Sequence, residues 1–328
     1  MLELLRFAPY ACTQMTADPS IAALELRLGT AHFRRRLATE HDLKRPARRF
    51  TESPRSTIAK LVLNSTLIRA CLHRLGLHRR GYEQFLNPQI ITRNVLLPNL
   101  PPELNGVTIL QISDLHLDLD PGFVPALTRH LAGLSYDLAV ITGDFRNKTG
   151  GPSGPSIAGT IELMKHIRQP VYAVLGNHDS LEMVPPLESA GLRFLLNEHI
   201  VWSHHGANLV LAGVDDAVFH QTHDLTRAFA NTPAGTIRVL LSHSPELYAE
   251  AAAHGVHLFL AGHTHGGQIC LPGGRIVISG LHCPRRFLRG AWNYEGVQGY
   301  TSSGTGACGV PLRFHCPAEI TLHKLVKA

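Results

Sequence analysis

The sequence predicts an α/β domain with buried strands behind a basic helical segment, and three observations carry that reading. From residue 107 onward short apolar runs alternate with amphipathic stretches, the order expected of sheets covered by helices. The residues richest in chemistry stand directly after the apolar runs, where such folds place their sites. Charge is divided sharply along the chain: residues 1–80 hold 15 Lys/Arg against 6 Asp/Glu, a net +9, while residues 81–328 hold 16 against 19, a net −3.

Residues 1–95 read as a basic, mostly helical extension. Arg34, Arg35 and Arg36, then Lys44 to Arg49 and Pro54, predict solvated chain. Leu61, Ile68, Leu72 and Leu75 recur at spacings of 7, 4 and 3 with Cys71 on the same stripe, which predicts a helix apolar on one face. Arg69 and His73 fall on the other side, with Lys60 and Arg74 at the margins. The Pro-rich stretch LLPNLPPELNG, residues 96–106, predicts a boundary, and 107–328 the main domain. Strands are expected at Val107 to Ile112, Leu138 to Thr142, Val171 to Leu175, Leu209 to Val214, Ile237 to Leu241, Val256 to Ala261, Arg275 to Ser279 and Ile320 to His323. Helices are expected at 122–133, 157–168, 182–190, 223–230 and 245–253. No segment repeats.

Composition narrows the function classes. At roughly 150 residues per domain, 328 residues make two domains or one large domain with an extension. A chain 44% hydrophobic and 17% charged is ordinary globular composition, not a disordered or fibrous one. No apolar run is long enough for a membrane span, and the opening MLELLRFAPYACTQM lacks a secretory pattern, so a cytoplasmic location is expected. The six cysteines (Cys12, Cys71, Cys270, Cys283, Cys308, Cys316) have no C-x-x-C spacing and read as packing thiols. The basic N-terminal region suits a solvated face, a helix docked on the main domain, or contact with an anionic membrane surface through residues 1–80. Nucleic acid is not favoured, because aromatic side chains for base stacking are scarce there. Oligomeric state has no signal.

Of the 21 histidines, five fall in tight motifs after strand-like runs. Asp114-Leu115-His116 follows VTILQIS, Gly143-Asp144 follows LAVIT, and Gly176-Asn177-His178-Asp179 follows VYAVL. His243 ends IRVLLS, and Gly262-His263-Thr264-His265-Gly266-Gly267-Gln268 follows VHLFLA. Carboxylates, a carboxamide and imidazoles converging on one sheet edge form a mixed oxygen and nitrogen donor set. That set suits Mn²⁺, Fe or Zn²⁺ better than Ca²⁺ or metals that require sulfur. In D-x-H and H-x-H the donors stand two residues apart, so in extended backbone they point the same way. The neighbouring glycines permit positive φ and close backbone approach. On phosphate esters divalent ions have a clear job, neutralising the oxygens and turning bound water into hydroxide near neutral pH.

These elements, in this order, resemble the calcineurin-like metallophosphoesterase superfamily, whose signature is D-x-H, G-D, G-N-H-[DE], H and G-H-x-H. The resemblance covers about residues 107–325, and the segments GHTHGGQICLPGG and GYTSSGTGACGVPLRFHCPAEITLHKL are similar to a bacterial, membrane-associated phosphodiesterase branch. It implies a four-layer αββα sandwich, two packed mixed β-sheets flanked by helices. It implies two divalent metal ions, Mn first with Fe or Zn as alternatives. Asp114, His116, Asp144 and His265 would hold the first; Asp144, Asn177, His243 and His263 the second. It further implies attack on phosphorus by a hydroxide between the metals, His178 stabilising or protonating the leaving oxygen, and Asp179 orienting its ring. The substrates implied are phosphodiesters or pyrophosphates, on a phosphorylated small molecule or a lipid-linked substrate; relatives of this branch include UDP-2,3-diacylglucosamine hydrolases. Many relatives carry an acid three residues after the G-D aspartate, where Asn147 stands here behind Arg146.

His220, His223, His254 and His257 read as surface or loop residues, as does His282; Arg285 and Arg286, which follow it, read as a solvated corner in preference to a grip on a substrate phosphate. The rival from another class is a non-catalytic metal-binding scaffold, which ligand integrity argues against. A metallo-β-lactamase-like site is excluded because Gly266, Gly267 and Gln268, not Asp-His, follow His265.

Overall fold

A computed structural model describes residues 19–41, 72–74, 76–276 and 283–328. The basic run Lys44 to Arg49, most of the apolar stripe from Leu61 to Leu75, and His282 lie outside the described residues. Among the described residues no helix is long and apolar enough to cross a membrane.

The helices in chain order are α1 (Pro19–Leu28), α2 (Thr30–His41), α3 (His78–Leu86), α4 (Phe123–Leu131), α5 (Gly154–Met164), α6 (Val184–Ser189), α7 (Leu225–Ala228) and α8 (Tyr248–Ala253). The strands are β1 (Gln89–Leu97), β2 (Thr108–Ile112), β3 (Leu138–Thr142), β4 (Val171–Val174), β5 (Leu192–Phe194), β6 (Glu198–His204), β7 (Ala207–Gly213), β8 (Ile237–Leu241), β9 (Leu258–Ala261), β10 (Gly290–Tyr294), β11 (Val297–Thr301) and β12 (Glu319–Lys327). They form two six-stranded sheets, ordered β1-β12-β2-β3-β4-β5 and β10-β11-β9-β8-β7-β6. Both are mixed: β2 to β5 run parallel while β12 pairs antiparallel with β2, and β7, β8, β9 and β11 run parallel between antiparallel edges.

Side-chain alternation along the strands builds the four layers. In β2, Leu110 and Ile112 point out to a core shared with Phe123 and Leu127 of α4. Ile109 points the other way, into a core with Leu209, Leu211, Val239, Leu241, Leu258 and Leu260 of the second sheet. Beyond that sheet, Val210, Ala212, Leu240 and Phe259 pack on Leu225, Ala228 and Ala251 of α7 and α8. Strands buried on both faces read as the continuous apolar runs seen in the sequence.

One expectation requires correction here. The helical reading of residues 1–95 and the boundary at 96 end too late, because Gln89–Leu97 is a nine-residue strand, parallel to β12. It was hidden because it is an edge strand with a mostly half-exposed pattern, so few of its positions demand apolar residues. Of the strand expected at Arg275 to Ser279, residues 277–279 lie outside the described residues, and Arg275 makes an isolated bridge with Leu271. The edge strands β6 and β10, mostly half-exposed or exposed, went unread for the same reason as β1.

The solvated reading of the Arg34–Arg36 run also fails at one residue. Ile21, Leu24 and Leu28 of α1 and Phe33 and Leu37 of α2 join the first outer core, and Arg36 is fully buried.

Candidate metal centre

Every motif singled out in the sequence leaves the carboxyl end of a parallel strand. Asp114 and His116 follow β2, Asp144 follows β3, Asn177 to Asp179 follow β4, His243 follows β8, and His263 and His265 follow β9. Both sheets present these ends to one edge. The backbone there is not the extended chain that the D-x-H spacing suggested. Asp114, His116, Asp144, His263 and His265 all have positive φ, between 44° and 70°. Such left-handed conformations are costly outside glycine and persist where surrounding structure enforces them, often at functional sites. As a result the two histidines of H-x-H diverge, one to each of two donor groups.

The first group brings Asp114, His116, Asp144 and His265 together, and the second Asp144, His243 and His263, with donor atoms in each within 4.8 Å of one another. Asn177 joins the second through Oδ1, 3.1 Å from His243 Nε2. Asp144 belongs to both. Its Oδ1 accepts the His178 N–H at 3.0 Å, leaving Oδ2 at 3.3 Å from His243 Nε2 and 3.7 Å from His116 Nε2.

Hydrogen bonds behind the rings fix which nitrogen faces inward. His116 Nδ1 donates to the Arg146 carbonyl at 2.7 Å, and His243 Nδ1 to the Thr142 carbonyl at 2.8 Å. A carbonyl can only accept, so both rings carry a proton on Nδ1 and turn Nε2 to the centre, the nitrogen that a metal would take. His116 Nε2 then meets His265 Nε2 at 3.1 Å, and His243 Nε2 meets His263 Nδ1 at 3.0 Å. The Asp114 carboxylate is oriented by Ser113 Oγ at 2.6 Å and by the His263 N–H at 3.0 Å.

The electrostatics of this set call for a cation. Burial pushes the Asp114 carboxyl up to about 7, Asp144 adding to it and His243 opposing. Burial works against a charge on His243, but Asp144 outweighs it and raises the imidazole to about 10. Burial takes His116 down to about 3 and His263 to about 4. Electron-rich atoms packed this closely are balanced either by a proton on His243 or by a divalent ion among them, so the residues fit a metal.

Glycines allow the close packing. At Gly143, with φ of 85°, a Cβ would stand 2.6 Å from His243 Nδ1, and at Gly176 it would enter the Asp144 carboxylate. The requirement at Gly176 is space alone, since its φ is not positive.

His178 reaches the rim of the centre. Its ring is a fifth exposed, with Nε2 at 3.9 Å from Asp144 Oδ2, and it stands edge-on to His116 with centroids 5.3 Å apart. Asp179 does not orient this ring, contrary to expectation; the hydrogen-bonding neighbour of Nδ1 is Thr149 Oγ1 at 3.3 Å. The Asp179 carboxylate instead accepts the N–H groups of Asp144, Phe145 and Gly176, each at 2.8 Å. A carboxylate bound to backbone N–H groups is a clasp, and this one ties the G-D loop to the G-N-H-D loop. Arg146 is committed as well, donating to the carbonyls of Thr149 at 2.7 Å, Gly151 at 3.1 Å and His178. Asn147 joins loops, its N–H donating to Asp118 and its Oδ1 accepting from the Gly309 N–H.

Several contributors escaped the sequence reading. Arg36 of α2 donates to Glu40 Oε1 at 2.8 Å, Asp215 Oδ1 at 2.9 Å and the Asp179 carbonyl at 2.9 Å. Burial opposes its charge, yet Asp215 and Glu40 hold its pKa above the ordinary value. Nothing in a three-arginine run signals this. Asp215 and Asp216 could have been found, since they follow β7 at the same sheet edge. Asp216 accepts the N–H groups of Phe219 and His220. His220 is buried rather than on the surface, with Nδ1 at 2.6 Å from Thr39 Oγ1 of α2. His223, His254 and His257 are partly exposed, and Arg285 and Arg286 form an exposed corner with Arg286 over the Phe287 ring.

Residues 107–267 match the model of the calcineurin-like phosphoesterases. Those residues form a calcineurin-like phosphoesterase domain. The domain is that of a metal-dependent phosphoester hydrolase, and the metal-site residues lie inside the matched region. An uncharacterized metallophosphoesterase of Helicobacter pylori is 28% identical over 274 residues, 77% of this chain and 68% of the relative. A bovine transmembrane protein with metallophosphoesterase domain is 32% identical over 256 residues, 71% of this chain and 56% of the relative, so the chain spans little more than half of that protein. A solved structure of a Haemophilus influenzae NAD nucleotidase aligns at 16% identity with a TM-score of 0.43, over 60% of this chain and 45% of the other.

Proposed function

We propose that this calcineurin-like phosphoesterase is a dinuclear enzyme that hydrolyses phosphodiester or pyrophosphate bonds. The observation that carries the reading is Asp144 Oδ2, shared by two donor groups of four residues each: Asp114, His116, Asp144 and His265, and Asp144, Asn177, His243 and His263. Manganese, iron and zinc all suit these oxygen and nitrogen donors. Two divalent ions held there would neutralise phosphoryl oxygens and lower the pKa of water.

The chain's own groups do the rest. His116 and His243 are locked in one tautomer from behind, so the donors need no rearrangement on binding. His178, at the rim and carrying a ring nitrogen toward Asp144, is the residue we assign to donate a proton to the departing oxygen. Arg146 and Arg313, which flank the centre, donate to backbone carbonyls. With those guanidinium groups occupied, the monoanion of a diester is better matched than the dianion of a monoester.

Two expectations follow. After thorough chelation, activity on bis-(p-nitrophenyl) phosphate is lost and returns with added Mn²⁺, exceeding activity on p-nitrophenyl phosphate; turnover that persists without metal would overturn the reading. His178→Ala slows a diester with an alkyl alcohol leaving group by ~10²–10⁴-fold, the usual reach of general acid catalysis, and changes the p-nitrophenyl diester far less. Equal losses on both diesters would remove His178 from that role.

A further inference from the structure

The first donor group has a neighbour that the oxygen and nitrogen reading of the site leaves aside. One ligand atom each from His116, His265 and Cys308 lies within 4.8 Å of the others. Donor–metal distances of about 2.0–2.3 Å put donors on opposite sides of an ion roughly 4.5 Å apart, so this spread is that of atoms around one centre.

Position, not proximity alone, distinguishes this thiol. The Cys308 N–H donates to Gln268 Oε1 at 2.8 Å, and its carbonyl accepts from Gln268 Nε2 at 3.0 Å. Gln268 stands three residues after His265, so the loop that supplies one histidine also grips the backbone of the cysteine. On either side the same segment is anchored again. Thr305 N–H donates to the Ser113 carbonyl at 2.7 Å and Gly306 N–H to the Asp114 carbonyl at 3.1 Å, while Gly309 N–H donates to Asn147 Oδ1 at 2.8 Å. Cys308 is thereby fixed against the loops that follow β2, β3 and β9. Cys270 and Cys316 differ, because their thiols already donate to the carbonyls of Gly266 and His265.

We propose that Cys308 joins His116 and His265, the two histidines it is grouped with, as a ligand of a metal at the first donor group, giving that half of the centre a sulfur donor. The inference rests on the metal-site reading above. Binding replaces the S–H bond by a sulfur–metal bond and releases one proton to solvent, with no change in oxidation state. A thiolate makes this position favour Zn²⁺, Co²⁺ or Fe²⁺ over Mn²⁺, while the Asn177 position keeps its oxygen and nitrogen donors. The metal preference of the chain would then be set by a residue outside the five motifs that supply the other donors, in a loop between β11 and β12.

The test is cobalt substitution of the full chain, read by absorption. Visible d–d bands report that cobalt is bound, and a near-ultraviolet thiolate-to-cobalt charge-transfer band reports sulfur ligation. The wild type is expected to show both. Cys308→Ser is expected to lose the charge-transfer band and keep the visible bands, with Zn²⁺ affinity at the first site falling at least about tenfold; Cys316→Ser, as control, keeps both. Visible bands without charge transfer in the wild type, or a charge-transfer band surviving in Cys308→Ser, would overturn the sulfur ligand while leaving the metal centre intact. Cobalt that fails to bind at all would overturn both. Retained visible bands in Cys308→Ser also establish that the variant is folded.

Discussion

Asp144→Asn is expected to reduce kcat/KM for a diester by on the order of 10³-fold or more while leaving the fold in place, because metal-ion catalysis supplies several kcal/mol to the barrier. The substitution keeps an oxygen that can accept the His178 N–H, the bond that Oδ1 makes at 3.0 Å. It removes the negative charge that both donor groups share through Oδ2. Each group therefore weakens at once, an effect that no other single donor substitution produces. Asp114→Asn or His263→Ala should injure one group first, and so separate loss of one ion from loss of both. Kinetics on bis-(p-nitrophenyl) phosphate with thermal unfolding of the same samples checks the expectation; activity within tenfold of wild type would contradict it.

Arg36→Met is expected to cost about 3–5 kcal/mol of stability, the range for removing one partner of a buried ion pair. Arg36 and Asp215 are both without exposed surface, and the guanidinium also holds Glu40 and the Asp179 carbonyl. Without it Asp215 keeps only its neutral partners, Thr222 Oγ1 and the Asp216 N–H. The functional consequence runs through Asp179, whose carbonyl Arg36 grips and whose carboxylate clasps the loops of Asp144 and Asn177. A shift of about 1 Å in positioned groups can cost 10²-fold in rate, so kcat should fall in samples that remain folded. Urea unfolding measures the first effect and steady-state kinetics below the transition the second. Arg36→Lys should recover part of the stability but less of kcat, because an ammonium cannot span Glu40, Asp215 and the carbonyl together. Wild-type values for both quantities in Arg36→Met would show that α2 is only a passive cover.

The sequence reading went furthest where one local rule sufficed. Leu138–Thr142 and Ile237–Leu241 are buried on both faces or nearly so, and their apolar runs coincide with the strands. The donors were legible because each follows such a strand, so that the fold collects at one edge what the chain spaces over about 150 residues. Three kinds of feature were not legible. Edge strands such as β1 carry half-exposed residues and leave no apolar run. Asp179 lies in the right motif, but its role depends on which N–H groups the neighbouring loop turns toward it, which spacing cannot express. Arg36 is an ordinary basic residue until α2 docks and its guanidinium finds Asp215, 179 residues away. Cys308 belongs to the same class, since its place beside His116 and His265 exists only after Gln268 folds back on it.

Metal stoichiometry tests the central claim most directly. The full chain, stripped with chelator, reconstituted with Mn²⁺ or Zn²⁺ and freed of excess ion, should hold two equivalents per chain by elemental analysis, and Asp144→Asn should hold clearly fewer. A wild type that binds one equivalent, or a variant that still binds two, would contradict a centre in which Asp144 joins two ions.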